Sequence, residues 1–122
     1  MAAWFARHAK RAWATCAITQ SGFIRVMNQP ALAQPGRTVA ELAEALTQNL
    51  AHPAHALLAL DFDLAQVLAR CSGGVVGHRQ VTDAHLLTAV LRGGMKLLTF
   101  DSGLVSLLAS NAERAAHIEV LR

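Results

Sequence analysis

Residues 81–103 read VTDAHLLTAVLRGGMKLLTFDSG, and this stretch places a helix directly before a strand. Apolar residues recur at helical spacing over residues 84–91, and either Thr82 or Asp83 can cap the start of that helix. The apolar run at residues 96–99 predicts the strand. A helix that leads into a strand in this way indicates a βαβ crossover and therefore parallel strand pairing.

The same alternation of strands and helices extends over the rest of the chain. The pattern predicts further strands at residues 13–18, 55–60 and 117–121. It predicts further helices over residues 2–11 and 103–109, and three that begin at the caps Thr19, Thr38 and Asp63. Strands that alternate with helices of this length predict an α/β fold with a mainly parallel sheet, covered by helices on both faces.

Length and composition predict one domain that spans residues 1–122. Hydrophobic residues make up 53% of the sequence, which is enough to form one core. Charged residues interrupt every apolar stretch before it reaches the roughly 18 residues of a membrane span. Cys16 and Cys71 lack the spacing of metal ligands, so we expect reduced, buried thiols in a cytoplasmic protein without membrane contact.

The first forty residues carry basic residues and no acidic ones. That composition also occurs in organellar transit peptides. However, the apolar segment at residues 13–18 has the character of a folded strand, and no signal-peptide core or cleavage site is present. We therefore favour a folded segment. The net charge of +3 permits contact with nucleic acid and equally fits ordinary solubility.

Asp83 and Asp101 are the residues best placed for chemistry. Asp83 opens a predicted helix and Asp101 follows a predicted strand, and ligands of open α/β sheets bind at the carboxyl ends of the strands. Taken singly, Asp83 has the position of a helix cap and Asp101 that of a turn residue. Two carboxylates that meet at that edge would repel unless a cation held them, which indicates Mg²⁺ or Mn²⁺.

Three blocks of the sequence resemble a known family. TCAITQSGFIRV at residues 15–26, GHRQVTDAHLL at 77–87 and LTFDSGL at 98–104 are similar, in this order, to blocks of PIN-domain ribonuclease toxins of the VapC type. The resemblance runs across nearly the whole chain. It implies a three-layer α/β/α sandwich, Mg²⁺-dependent cleavage of RNA, neutralisation by a cognate antitoxin and assembly as a homodimer.

The resemblance also assigns roles to individual residues. Asp83 and Asp101 match two acidic residues of the family's metal site. Gln20 matches a position at which many relatives carry a glutamate. As a catalytic residue, Gln20 offers an amide oxygen to a metal or a water, but it is a weaker ligand than a carboxylate and cannot act as a base.

Relatives normally begin with a strand bearing a Leu-Asp-Thr-Asn-like motif, followed by a helix. The present sequence starts at what resembles the end of that helix, so we expect the PIN-like fold to be N-terminally truncated, without its first strand, most of its first helix and its first acidic residue. We favour a start codon placed too late, and a fragment is the alternative. The truncation also suggests an alternative function, a catalytically inactive PIN module that only binds antitoxin or another protomer.

Basic residues near the acidic pair are candidates for RNA contact. Arg25, Arg79 and Arg92 can each bind a phosphate through the guanidinium group, or simply carry charge on a solvated surface. Arg79 is the preferred candidate because it lies just before Asp83 in the sequence.

Overall fold

The computed structural model describes residues 11–29 and 37–121, which fall into two compact units, one up to Ala59 and one from Leu60 onward. The first unit contains β1 (Trp13–Thr15), α1 (Ala17–Met27), α2 (Val39–Leu50) and β2 (His55–Leu57). The second contains α3 (Leu64–Arg70), a 3-10 helix (His78–Gln80), α4 (Val81–Gly93), β3 (Leu97–Thr99), a second 3-10 helix (Ser102–Leu107), α5 (Asn111–His117) and β4 (Ile118–Val120).

The strands pair in parallel in both units, which confirms the predicted α/β class. In the first unit, β1 pairs with β2 in a register that places Trp13 opposite His55. In the second unit, β3 pairs with β4, and Leu97 lies opposite Ile118. Each pair is a two-stranded sheet of the described residues. Parallel strands need a crossover connection, and helices supply it in both units.

The start of α1 corrects one prediction. β1 ends at Thr15 and α1 begins at Ala17, so the predicted strand is too long and Thr19 is not the N-cap residue. Cys16 occupies the N-cap position, and Thr19 lies three residues later in the first turn. The Thr19 hydroxyl oxygen accepts a hydrogen bond from the backbone N–H of Cys16 (2.9 Å), which stabilises the helix start from inside the helix.

Two predicted caps are confirmed. The Thr38 hydroxyl oxygen accepts from the backbone N–H of Glu41 (3.1 Å) at the start of α2. At the start of α3, Asp63 Oδ1 accepts from the N–H of Gln66 (2.9 Å), and Gln66 Oε1 accepts from the N–H of Asp63 (2.8 Å). These reciprocal bonds form a capping box.

The start of α4 is also corrected. The helix begins at Val81 and its N-cap residue is Gln80, so neither Thr82 nor Asp83 is the cap. Asp83 instead lies in the first helical turn, where a carboxylate interacts favourably with the helix dipole. The pair Gly93-Gly94 predicts the end of α4, and the helix does end there, with Gly94 in the left-handed conformation (φ 63°).

The second unit contains the main hydrophobic core of the described residues. Its buried side chains come from α3, α4, the second 3-10 helix, β4 and the residues that directly follow α3 and the 3-10 helix, and they are Val67, Cys71, Ala84, Leu87, Leu104, Leu107, Leu108 and Ile118. The predicted helix at residues 103–109 is in fact 3-10 helix over Ser102–Leu107. The sequence prediction missed α5, which Ser110 caps by accepting from the N–H of Glu113 (3.3 Å).

Cys16 and Cys71 are free, buried thiols, as predicted. The helix predicted over residues 2–11 lies almost entirely outside the described residues. Within the described ranges, every helix is too short or too polar to cross a membrane.

Candidate active site

Asp83 lies in the first turn of α4 and is half-buried. The next residue, Ala84, and Leu87 one turn later are part of the hydrophobic core, so the helix start is fixed by packing. Burial raises the pKa of the Asp83 carboxyl group, because removal of water disfavours its charged form.

Asp101 lies where β3 leads into the second 3-10 helix, and it is the N-cap residue of that helix. Asp101 Oδ1 accepts from the backbone N–H of Gly103 (2.8 Å), and the N–H of Asp101 donates to the hydroxyl oxygen of Thr99 (3.0 Å). A Cβ atom on Gly103 would lie 3.1 Å from Asp101 Oδ1, a close contact that glycine avoids. One carboxylate oxygen of Asp101 is therefore fixed in position.

The structure brings Asp83 and Asp101 together. After burial, the second cause that raises the pKa of Asp83 is the negative charge of Asp101. The two residues belong to different elements, α4 and the turn after β3, and are separated in the sequence by the rest of that helix and strand. The fold of the second unit thus places two like charges close enough to interact electrostatically.

The two carboxylates fit a hard divalent cation. Among the residues that the structure describes, no three His, Cys, Asp or Glu side chains form a metal-binding group. Mg²⁺ typically takes one or two carboxylates from a protein and completes its octahedral shell with water and substrate oxygens. A pair of repelling carboxylates is such a ligand set, and it lacks the His and Cys ligands that would favour zinc.

Gln20 lies in α1, in the first unit, and its amide group is already engaged there. Gln20 Nε2 donates to Thr15 Oγ1 (2.9 Å), and Thr15 Oγ1 is also hydrogen-bonded to His55 Nε2 (2.8 Å). The ring of His55 contacts that of Trp13, with centroids 4.7 Å apart. The hydrogen bond to Thr15 fixes the orientation of the amide, and its oxygen is the atom that Gln20 can offer to a cation.

Sequence reasoning missed Thr15 and His55 as partners of Gln20. Their hydrogen bond joins β1 to β2 and depends on the register of that strand pair, which places His55 opposite Trp13. A one-residue change of register would turn the His55 side chain to the other face of the sheet. Nothing in the local sequence specifies that register.

Arg79 lies in the 3-10 helix that precedes α4, and its side chain is exposed. His78, next to it, is exposed as well. The ion pairs within the described ranges are Arg70–Glu113 and Arg92–Asp61, and Arg79 takes part in neither. Arg92 is therefore paired with an acid, whereas Arg79 offers an exposed guanidinium group just before the start of α4.

Comparison with known proteins identifies relatives along nearly the whole chain. Ribonuclease VapC38 of Mycobacterium tuberculosis is 39% identical over 104 residues, which cover 85% of this chain and 72% of VapC38. Ribonuclease VapC39 of the same species is 30% identical over 118 residues, which cover 97% of this chain and 81% of VapC39. No protein-family model matches the chain, and no solved structure gives a significant match. The two relatives show that this chain belongs to the VapC ribonuclease family.

Proposed function

We propose that this chain is a magnesium-dependent endoribonuclease, the toxin of a toxin–antitoxin system. The relatives support a ribonuclease, since each is named as one. The observation that carries the metal dependence is the electrostatic coupling of Asp83 and Asp101, because the second unit keeps two carboxylates together although they repel. A divalent cation between them would remove that repulsion.

Asp83 and Asp101 are the proposed metal ligands, with Mg²⁺ or Mn²⁺ as the ion. When bound there, the metal supplies activation of a water molecule and stabilisation of the negative charge that develops on the scissile phosphate. Asp101 contributes one oxygen that the Gly103 N–H already orients. Asp83 contributes a carboxylate fixed by α4, whose first turn also favours negative charge.

Two further residues complete the proposal. Arg79 binds the RNA backbone through its exposed guanidinium group, which can contact two phosphate oxygens at once. Gln20 contributes an amide oxygen that orients a water or a ligand, held by its hydrogen bond to Thr15. Gln20 does not take up a proton, because an amide is not a base at neutral pH.

The partners follow from the family. We infer that the protein acts on RNA in the cytoplasm, binds a cognate antitoxin that neutralises it and assembles as a homodimer. The buried free thiols of Cys16 and Cys71 are compatible with that reducing compartment.

A second candidate is a catalytically inactive module that binds antitoxin or another protomer. The observation that favours it is the neutral side chain of Gln20, at a position where the resemblance to VapC-type toxins implies a glutamate. If catalysis requires that charge, the chain binds its partners without cleaving RNA.

Cleavage of a total RNA pool by the purified chain, with Mg²⁺ and then with a chelator, tests both functions. We expect Mg²⁺-dependent cleavage that falls at least about 100-fold in Asp83→Asn and Asp101→Asn, because a bound metal contributes several kcal/mol of charge stabilisation. Asp61→Asn is the matched control, since it removes the same charge from an exposed residue outside the pair. Cleavage that survives both substitutions would contradict the proposed site. No cleavage by the unmodified chain, together with cleavage by Gln20→Glu, would establish the inactive module.

A further inference from the structure

The side chain of Gln80 connects the start of α4 to another part of the second unit. Gln80 is the N-cap residue of α4 and precedes Asp83 by one helical turn. Gln80 Oε1 accepts from the backbone N–H of Val76 (2.7 Å), and Gln80 Nε2 donates to Ser106 Oγ (3.2 Å). Since both ends of its amide are used, the side chain is fixed although the residue is only half-buried.

Ser106 continues this connection towards Asp101. The Ser106 hydroxyl group donates to the backbone oxygen of Gly103 (2.9 Å). The N–H of Gly103 in turn donates to Asp101 Oδ1 (2.8 Å). An unbroken series of hydrogen bonds therefore runs from the first residue before α4, through the second 3-10 helix, to the carboxylate of Asp101.

The second 3-10 helix is also held at its far end. The N–H of Gly73 donates to the backbone oxygen of Leu107 (2.8 Å), and the N–H of Ala109 donates to Ser72 Oγ (3.0 Å). Leu104 and Leu107 anchor the same segment in the core. The Gln80–Ser106 hydrogen bond is the side-chain link between this segment and the residue that precedes α4.

We propose that Gln80 and Ser106 are positioning residues that set the separation of Asp83 and Asp101 for metal binding. Packing holds the start of α4 and the Gly103 N–H orients Asp101 Oδ1, whereas the Gln80–Ser106 hydrogen bond ties the two elements to each other against the repulsion of the like charges. Hydrogen bonds behind metal ligands orient those ligands, and their loss typically weakens metal affinity about 10- to 100-fold. This inference rests on the proposed function, since it assumes that the acidic pair holds the metal.

The affinity of the full chain for Mn²⁺, measured by isothermal titration calorimetry and by the electron paramagnetic resonance of free Mn²⁺, tests the inference without reference to RNA cleavage. We expect Ser106→Ala and Gln80→Met each to weaken binding about tenfold. Ser106→Thr retains the hydroxyl group, so its affinity should return to within about threefold of the unmodified chain.

Ser110→Ala is the matched control. It removes a hydroxyl group from another exposed hydrogen bond, the cap of α5, and lowers stability without touching the acidic pair. Equal Mn²⁺ affinity in Ser106→Ala, Gln80→Met and Ser110→Ala, with weaker binding by Asp83→Asn, would overturn the positioning role alone. Absence of binding, or equal binding by Asp83→Asn and the unmodified chain, would overturn the metal site and the positioning role together.

Discussion

The two units hold their polar groups in different ways. In the first unit, Gln20, Thr15 and His55 form a series of hydrogen bonds between side chains at the ends of short strands and a helix. In the second unit, Asp83 and Asp101 are two like charges whose proximity raises the pKa of Asp83. The first arrangement satisfies hydrogen-bonding groups, whereas the second keeps together groups that repel.

The two units also differ in how many hydrophobic side chains they bury. The buried hydrophobic side chains of the first unit, as far as the structure describes it, are Cys16 and Leu42. The second unit encloses a core from four elements, with Val67, Leu87 and Leu107 fully buried. The unfavourable pair of charges is therefore built on the more densely packed unit. The lesson is that an electrostatic cost at a candidate site can be offset by burial of the elements that carry it.

The largest effect should come from the core of the second unit. Leu107 is fully buried in the second 3-10 helix, so Leu107→Ala removes apolar contacts and leaves a cavity. We expect the free energy of unfolding, measured in urea, to fall by about 3 kcal/mol. Val26→Ala in the first unit is the comparison, because Val26 is 48% exposed and its loss should change stability by about 0.5 kcal/mol or less. Equal losses would show that packing does not distinguish the two units.

The next effect concerns the close approach of two segments in the second unit. A Cβ atom on Gly73 would lie 2.0 Å from the backbone oxygen of Ser106, so Gly73→Ala must displace the second 3-10 helix. We expect a loss of about 2–3 kcal/mol in urea unfolding. Gly77→Ala is the control in the same loop: its Cβ would meet nothing within 4 Å, and stability should hold or rise slightly. A harmless Gly73→Ala would mean that this segment is free to move.

Much of this fold is predictable because its signals are local. Thr38 and Asp63 cap helices by bonds within four residues of sequence, and Gly94 ends α4 because only glycine adopts its backbone conformation without strain. The alternation of strands and helices predicts the parallel pairing. The sequence also predicts the positions of Asp83 and Asp101, since each stands at the end of an element with a clear pattern.

The errors arise where one local signal fits two structures. Aspartate is favoured both at the N-cap and in the first turn of a helix, so Asp83 does not distinguish a helix that starts at Val81 from one that starts at Ala84. Helix α5 is only seven residues long and has no apolar periodicity, although Ser110 and Glu113 have the spacing of a capping box. That spacing is the signal that would have identified the helix.

The remaining features depend on contacts between distant residues. The hydrogen bond of Thr15 with His55 requires the register of β1 and β2, and that of Gln80 with Ser106 requires the 3-10 helix to lie beside the start of α4. No spacing in the sequence determines either contact. Such contacts appear only once the elements have packed.

A smaller effect should be a gain of stability in the first unit, in contrast to the losses expected in the second. Gly22 lies inside α1 of the first unit, and a Cβ atom on it would meet nothing within 4 Å. Gly22→Ala should therefore stabilise the protein by about 0.5–1 kcal/mol, because alanine loses less backbone entropy in a helix. Thermal unfolding measures it, with Gly94→Ala as the control that loses stability, since Gly94 has φ 63°. A loss in Gly22→Ala would show that this side of α1 is closely packed after all.

The smallest effect tests the repulsion itself. Burial and then the charge of Asp101 raise the pKa of Asp83, so the folded state holds the Asp83 proton more tightly than the unfolded chain does. The stability that the raised pKa of Asp83 contributes is complete below the pKa of Asp83 in the unfolded chain, and it is lost as the pH rises through the pKa in the folded state.

The substitution Asp101→Asn tests this repulsion, because it keeps the oxygen that accepts from Gly103 and removes the charge. The pKa of Asp83, followed by carboxyl NMR, should then fall towards its ordinary value without reaching it, because burial remains. The metal-free variant should be more stable than the unmodified chain at pH 7 by a few tenths of a kcal/mol after solvent screening, and this gain should vanish at acid pH where the carboxyls are protonated. Asp61→Asn should leave the pKa of Asp83 in place. An unchanged pKa in Asp101→Asn would mean that the acids do not interact, and the second unit would then carry no repulsive pair.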